Sequence, residues 1–162
     1  MKPAALPIVA FLGLQTALAH AACDAHKANA NPTSRYVLKA GTAFDKKSKL
    51  TWQRCSVGQT WQEGKGCIGT VKGLPRLQAE LLEEDGWRLP TVDELATLVS
   101  PTCTRPSINE EVFPGMDVGS LYYWSKTVPR EAYLNYVNFE TGAVSADSDG
   151  EHYAVRLVRS GP

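Results

Sequence analysis

What this chain does without narrows its function before any motif is read. No two cysteines have the C-x-x-C spacing of a zinc knuckle or a dithiol redox pair. Histidines number 3 in all, too few for most histidine-based metal centres. No Gly-x-Ser-x-Gly elbow presents a serine nucleophile. Basic and acidic residues balance at 17 each, without a block of either sign. With no basic stripe to displace counterions, non-specific nucleic-acid binding is excluded as a partner class. No apolar run reaches the ~20 residues that a membrane-spanning helix needs. No internal repeat is evident. These absences leave one ordinary globular domain, long enough to bury a core.

The chain opens as a secretory leader. Met1 and Lys2 give a short positive start, residues 8–14 form an apolar stretch, and Ala19-His20-Ala21 fits the A-x-A cleavage pattern. Ala17-Leu18-Ala19 fits as well, two residues earlier. Residues 1–21 are therefore expected to be a cleaved signal peptide, which makes the protein exported, either periplasmic or extracellular. Acylation of Cys23 is disfavoured, because His20 stands where a lipoprotein usually carries a large aliphatic residue.

Export gives the 4 cysteines their meaning, since an even number in an oxidising compartment is usually a disulfide framework. Three connectivities are open, and spacing alone does not choose among them. The segment between Cys55 and Cys67 is rich in Gly and Gln and poor in apolar residues, which favours a local staple there. Cys23 with Cys103 is then the remaining pair, tying the mature N-terminus to a long irregular segment.

Periodicity predicts an α+β domain. Residues 22–40 read as an N-terminal extension, with a first short strand over 36–38. Residues 43–45 and 50–54 read as a hairpin around Lys46-Lys47-Ser48-Lys49. Leu74, Leu77 and Leu81 recur at helical spacing and predict a first helix over 74–84, with that stripe facing the core. A second helix is expected over 92–99. Residues 101–121 carry three prolines and no period, and read as an ordered loop pinned by scattered apolar residues. Strands are expected over 122–127, 133–139, 143–146 and 152–159.

The densest local signal is Gly86-Trp87-Arg88-Leu89-Pro90-Thr91-Val92-Asp93-Glu94-Leu95. Gly86 suits a left-handed helix exit, and Thr91 with Glu94 spells a capping box for the next helix. This stretch resembles the signature of the Lcl C-terminal-domain family. Arg54-Cys55, Ile108-Asn109, Phe113-Pro114, Tyr123-Trp124-Ser125, Asn138-Phe139, Gly142 and Val155-Arg156-Leu157-Val158-Arg159 are similar to further parts of it. The resemblance extends from about Gly41, so residues 41–162 are expected to form one such domain. It implies a C-type-lectin-like fold, related to that of formylglycine-generating enzymes: two short helices on antiparallel strands, stapled by disulfides. It also implies a binding role, since some members are adhesins whose terminal domain binds sulfated polysaccharides. The Glu-Pro-Asn, Gln-Pro-Asp and Trp-Asn-Asp tripeptides of calcium-dependent lectins do not occur here.

Candidate chemistry is sparse. Asp147, Asp149 and Glu151 are a fragment of a calcium loop, but calcium needs six to eight oxygens and a polar turn explains the same letters. His152 near Asp149, with Ser145 or Ser148, lacks the context of a catalytic set. No cofactor, metal or catalytic residue is expected. The candidate binding residues are the loop residues Arg105, Asn109, Glu110, Asp117 and Arg130, with Tyr122 and Tyr123 from the aromatic strand beside them. The expected function is an exported, non-catalytic binding module recognising a protein or polysaccharide in the envelope. The alternative is a periplasmic inhibitor or immunity-type protein that neutralises a toxin or hydrolase.

Overall fold

A computed structural model describes residues 22–23, 31–117, 119 and 121–162. The expected signal peptide, residues 1–21, and His26 lie outside these described residues.

Eleven strands and two short helices follow one another in the described chain. The main sheet is antiparallel, in the order β11-β4-β3-β2. Its strands are β2 (Tyr36–Lys39), β3 (Thr42–Asp45), β4 (Leu50–Gln53) and β11 (Val158–Ser160). The expected hairpin is present as β3 and β4, with Ala43 opposite Trp52 and Asp45 opposite Leu50. Lys49 closes its turn at φ 61. The second sheet joins β8 (Tyr122–Trp124), β9 (Tyr133–Asn138) and β10 (Ala143–Ser148), in the order β10-β9-β8.

The segment 152–157 lies between these sheets and was expected to be continuous strand. It pairs instead with a succession of neighbours. Trp124 N donates to the Ala154 carbonyl at 3.0 Å, Val57 N to Val155 at 2.9 Å, and Gln53 N to Leu157 at 3.1 Å. With the partner changing every residue or two, no ladder forms until β11.

Two further differences have clear causes. The apolar-poor segment that follows Cys55, where no strand is expected, holds a hairpin of β5 (Gln59–Gln62) and β6 (Gly66–Gly69), whose second strand carries Cys67. Its Gly, Gln and Thr residues satisfy backbone pairing without supplying an apolar period. The first helix, α1, spans only Arg76–Glu80. Its buried residue is Ala79, and flanking Leu74 and Leu82 pack on the smaller core. Leu77 and Leu81 point outward, 74% and 83% exposed. The helical spacing was real, but the buried face is a different one.

Helix α2 (Val92–Ala96) starts as the letters require but ends short of the expected residue 99, which bridges Ile108 instead. Glu94 N donates to the Thr91 hydroxyl at 3.2 Å, and Thr91 N donates to the Glu94 carboxylate at 2.8 Å. Arg88 closes a bidentate pair on the same carboxylate at 2.7 and 2.8 Å. Gly86 takes its left-handed turn at φ 80, beyond the shortened α1.

Both disulfides are formed, Cys55–Cys67 and Cys23–Cys103. The second joins β1 (Ala22–Cys23) to β7 (Cys103–Thr104). The long segment 101–121 is pinned as expected: Ile108, Val112, Phe113, Met116 and Leu121 are all buried in the main core. That core also holds Trp52, Leu95, Leu98, Tyr123 and Phe139. A smaller core gathers Leu89, Trp124, Leu134, Val155 and Leu157 between α1 and the second sheet. Antiparallel strands with two short helices make the fold α+β.

Candidate functional site

Alternation along β8 sends Tyr122 and Trp124 to one side and Tyr123 to the other. Trp124 is fully buried and donates from Nε1 to the Leu74 carbonyl at 2.8 Å. Tyr122 stays at the surface, 38% exposed. Its ring meets Tyr136 of β9 edge-on at 5.5 Å and Tyr153 at 5.3 Å, while Tyr136 and Tyr153 meet at 5.0 Å. Three tyrosines from three segments thus form a ledge over the smaller core, with Trp124 beneath at 4.4 Å from Tyr153. Edge-to-face contacts at Tyr136 and tilted ones at Tyr153 fix these ring positions in advance.

One polar group locks the ledge. The Tyr153 hydroxyl donates to Asp147 at 2.7 Å. That hydrogen bond holds the Asp147 carboxyl below the usual carboxylate range. Burial, and then Asp147, push the Tyr153 phenol well above its ordinary value. The pair is therefore a fixed strut at neutral pH, with no proton poised to move. Asp149 lies 3.9 Å from the Arg76 guanidinium, away from this strut. Among the described residues, no three of His, Cys, Asp and Glu come together to hold a metal ion.

The remaining sequence candidates do not converge on the ledge. Tyr123 is a core residue with no exposed surface, its hydroxyl paired with Ser56 at 2.6 Å and facing the Met116 sulfur at 3.0 Å. Asn109 is buried too. Its amide donates to the Asn31 carbonyl at 2.8 Å and its carbonyl oxygen accepts from Glu111 N at 3.0 Å, so it closes a turn of the pinned loop. Neither offers surface to a ligand; both positions were expected to contribute to binding, and burial removes them. Arg105 is exposed and ion-paired with Glu140 at the β9–β10 turn. Glu110 is half-buried in the same loop, and Asp117 accepts from Gly119 N at 2.9 Å. Arg130 stacks over Tyr133 at 3.8 Å, at the β8–β9 turn.

A second aromatic surface went unread in the sequence. A groove of about 310 Å³ opens between the β5–β6 hairpin and Trp87, lined by Trp61, Trp87, Gln53, Gln59, Thr42 and Thr60 among others. Arg54 stands behind it. Its guanidinium stacks 3.9 Å from the Trp61 ring centroid and donates to the carbonyls of Val112, Glu111 and Ala40 at 2.8, 3.0 and 3.1 Å. One buried cation thus ties the 101–121 loop to the groove wall. The alternation Gln59-Thr60-Trp61-Gln62 was the available signal for this hairpin, hidden by its polar composition.

The arrangement is one of rigid aromatic surfaces on a stapled α+β frame, and its landmarks are the motif residues themselves: the Arg88–Glu94 pair, the Thr91 cap and the Arg54–Cys55 step. No curated protein and no solved structure matches the chain. The family model of the Lcl C-terminal domain matches residues 41–159, a span that holds every one of these landmarks, and the chain belongs to that family.

Proposed function

We propose that this protein is an exported, non-catalytic binding module of C-type-lectin-like architecture, recognising a polysaccharide or protein of the cell envelope. The observation that carries this reading is the ledge of Tyr122, Tyr136 and Tyr153, preformed on a sheet and half-open to solvent. Rigid aromatic rings supply large contact area at low entropic cost, which is what recognition surfaces reward. The polar groups beside it are spent on the frame, as Asp147 is on Tyr153. The leader-like N-terminus and two closed disulfides support export.

One observation favours the inhibitor or immunity-type alternative. Leu77 and Leu81 are the most exposed large apolar residues described, four apart at α1. Exposed apolar surface of this kind marks protein contacts more often than sugar contacts.

The two readings separate in one experiment. The disulfide-intact chain from residue 22 is immobilised and loaded with envelope and secreted fractions of the producing cell. Parallel columns carry Tyr122→Ala/Tyr136→Ala and Leu77→Ser/Leu81→Ser. The expected result is a ligand retained by the wild type and lost on the tyrosine variant. A stoichiometric protein lost only on the leucine variant would establish the alternative. Retention unaffected by either variant would contradict both.

A further inference from the structure

From the groove between Trp61 and Trp87 we infer a second binding site, separate from the tyrosine ledge, that takes an uncharged saccharide segment. The two surfaces share no lining residue. The inference shares with the proposed function only the premise that this protein binds without reacting.

Three features point to this ligand class. First, the groove is walled by two tryptophans, and each ring is backed by an arginine. Arg54 lies 3.9 Å from the Trp61 centroid and Arg159 lies 4.9 Å from that of Trp87. The C–H bonds of a sugar ring, polarised by adjacent oxygens, pack favourably against the negative face of an indole. Second, none of the residues lining the groove is charged. Polar groups come instead from Thr42, Thr60, Gln53 and Gln59, which suit hydroxyls and acetamido groups and offer nothing to neutralise a sulfate or carboxylate. The Gln59 amide is engaged, donating to Gly115 at 2.8 Å and accepting from Ser56 N at 3.2 Å. Gln53 and Thr60 have no side-chain hydrogen bond to another described residue, so they remain to meet a ligand. Third, the site is built in advance. Trp61 Nε1 donates to Glu63 at 3.2 Å, and a Cβ placed on Gly41 would come within 3.0 Å of the Trp61 Cβ, so that glycine makes room for the ring. Cys55 lines the groove and its bond to Cys67 clamps the hairpin wall. A volume of about 310 Å³ sits at the lower end for small-ligand sites.

Calorimetric titration of the disulfide-intact chain with neutral hexasaccharides of glucose and of N-acetylglucosamine tests this. At least one is expected to bind, and the intrinsic fluorescence should respond, because Trp52 and Trp124 are fully buried while Trp61 and Trp87 line the groove. Trp87→Ala should weaken binding by about tenfold or more, the loss of one stacking surface. Thr60→Arg changes an exposed rim residue, narrows the mouth and should abolish binding with the fold unchanged; it keeps the test valid if the tryptophan variant is unstable. Tyr122→Ala/Tyr136→Ala should leave the saccharide affinity as in wild type, so failure of the ledge reading and of this one are seen separately. Failure of both hexasaccharides to bind at millimolar concentration overturns the inference. So does binding of only a sulfated chain such as heparin, or saccharide binding that survives both groove variants.

Discussion

Arg156 has no exposed surface and no carboxylate within ion-pairing distance among the described residues. Its guanidinium is held instead by the Gln53 and Arg54 carbonyls, the Ser56 hydroxyl at 3.1 Å and the Met116 sulfur at 3.3 Å, with the Phe113 ring 5.0 Å away. Burial lowers its pKa, yet oxygens, sulfur and rings meet both terminal nitrogens, while the buried Nε has no hydrogen-bond partner among the described residues. Arg156→Ala should cost about 3–5 kcal/mol in urea unfolding, through a cavity and orphaned carbonyls together. Asp45 is the complementary case. Burial opposes its charge, but hydrogen bonds from Arg35, Ser48 and Lys47 N prevail and hold its carboxyl at about 2. Because the folded value lies below the unfolded one, its stabilisation is complete above about pH 4 and is lost as pH falls toward about 2. Asp45→Asn should therefore lower stability by about 2 kcal/mol at pH 7, with the gap to wild type closing over that acid window. Urea midpoints measured as a function of pH check both the size and the sign.

Among the elements, the two helices show what a sequence can and cannot carry. Helix α2 was legible because its start is written in local chemistry, Thr91 and Glu94 three apart behind a proline. Thr91→Ala should cost about 1 kcal/mol by removing the hydroxyl that accepts from Glu94 N. Helix α1 was legible only as a helix. Leucines at 74, 77 and 81 define a stripe, but which stripe is buried depends on what packs there, and the smaller core receives Leu74, Ala79 and Leu82. Leu77→Ser/Leu81→Ser should then change the unfolding free energy by no more than about 0.5 kcal/mol, read by urea denaturation. The β5–β6 hairpin offered only the polar run Gln59-Thr60-Trp61-Gln62 as a signal, since its pairing is made by backbone and its staple rather than by an apolar period. Of the ledge, Tyr122 and the β8 alternation could be read; the meeting with Tyr153 could not, because it depends on segment 152–157 lying between two sheets.

At the scale of the whole molecule, two sheets and a long loop are tied by few covalent and polar joints. Cys55–Cys67 closes a separation of 12 residues and Cys23–Cys103 one of 80. In the chain-entropy account, opening them should cost about 3 and about 4.5 kcal/mol respectively, so Cys23→Ser/Cys103→Ser should be the more destabilised double variant in denaturant titration. Arg54 is the noncovalent counterpart, binding the 101–121 loop to Trp61. The family and the α+β class were readable because motif words and periodicity survive in one dimension. The two aromatic surfaces were readable only in part, since each gathers residues far apart in the chain. The proposed role requires that preformed aromatic surfaces bind without reacting. Hydrogen exchange on the protein with and without its column-captured ligand tests this most directly. Protection that includes β8, β9 and residues 152–154, with the ligand recovered chemically unchanged, is the predicted result. Protection elsewhere only, or a ligand recovered in altered form, would contradict it.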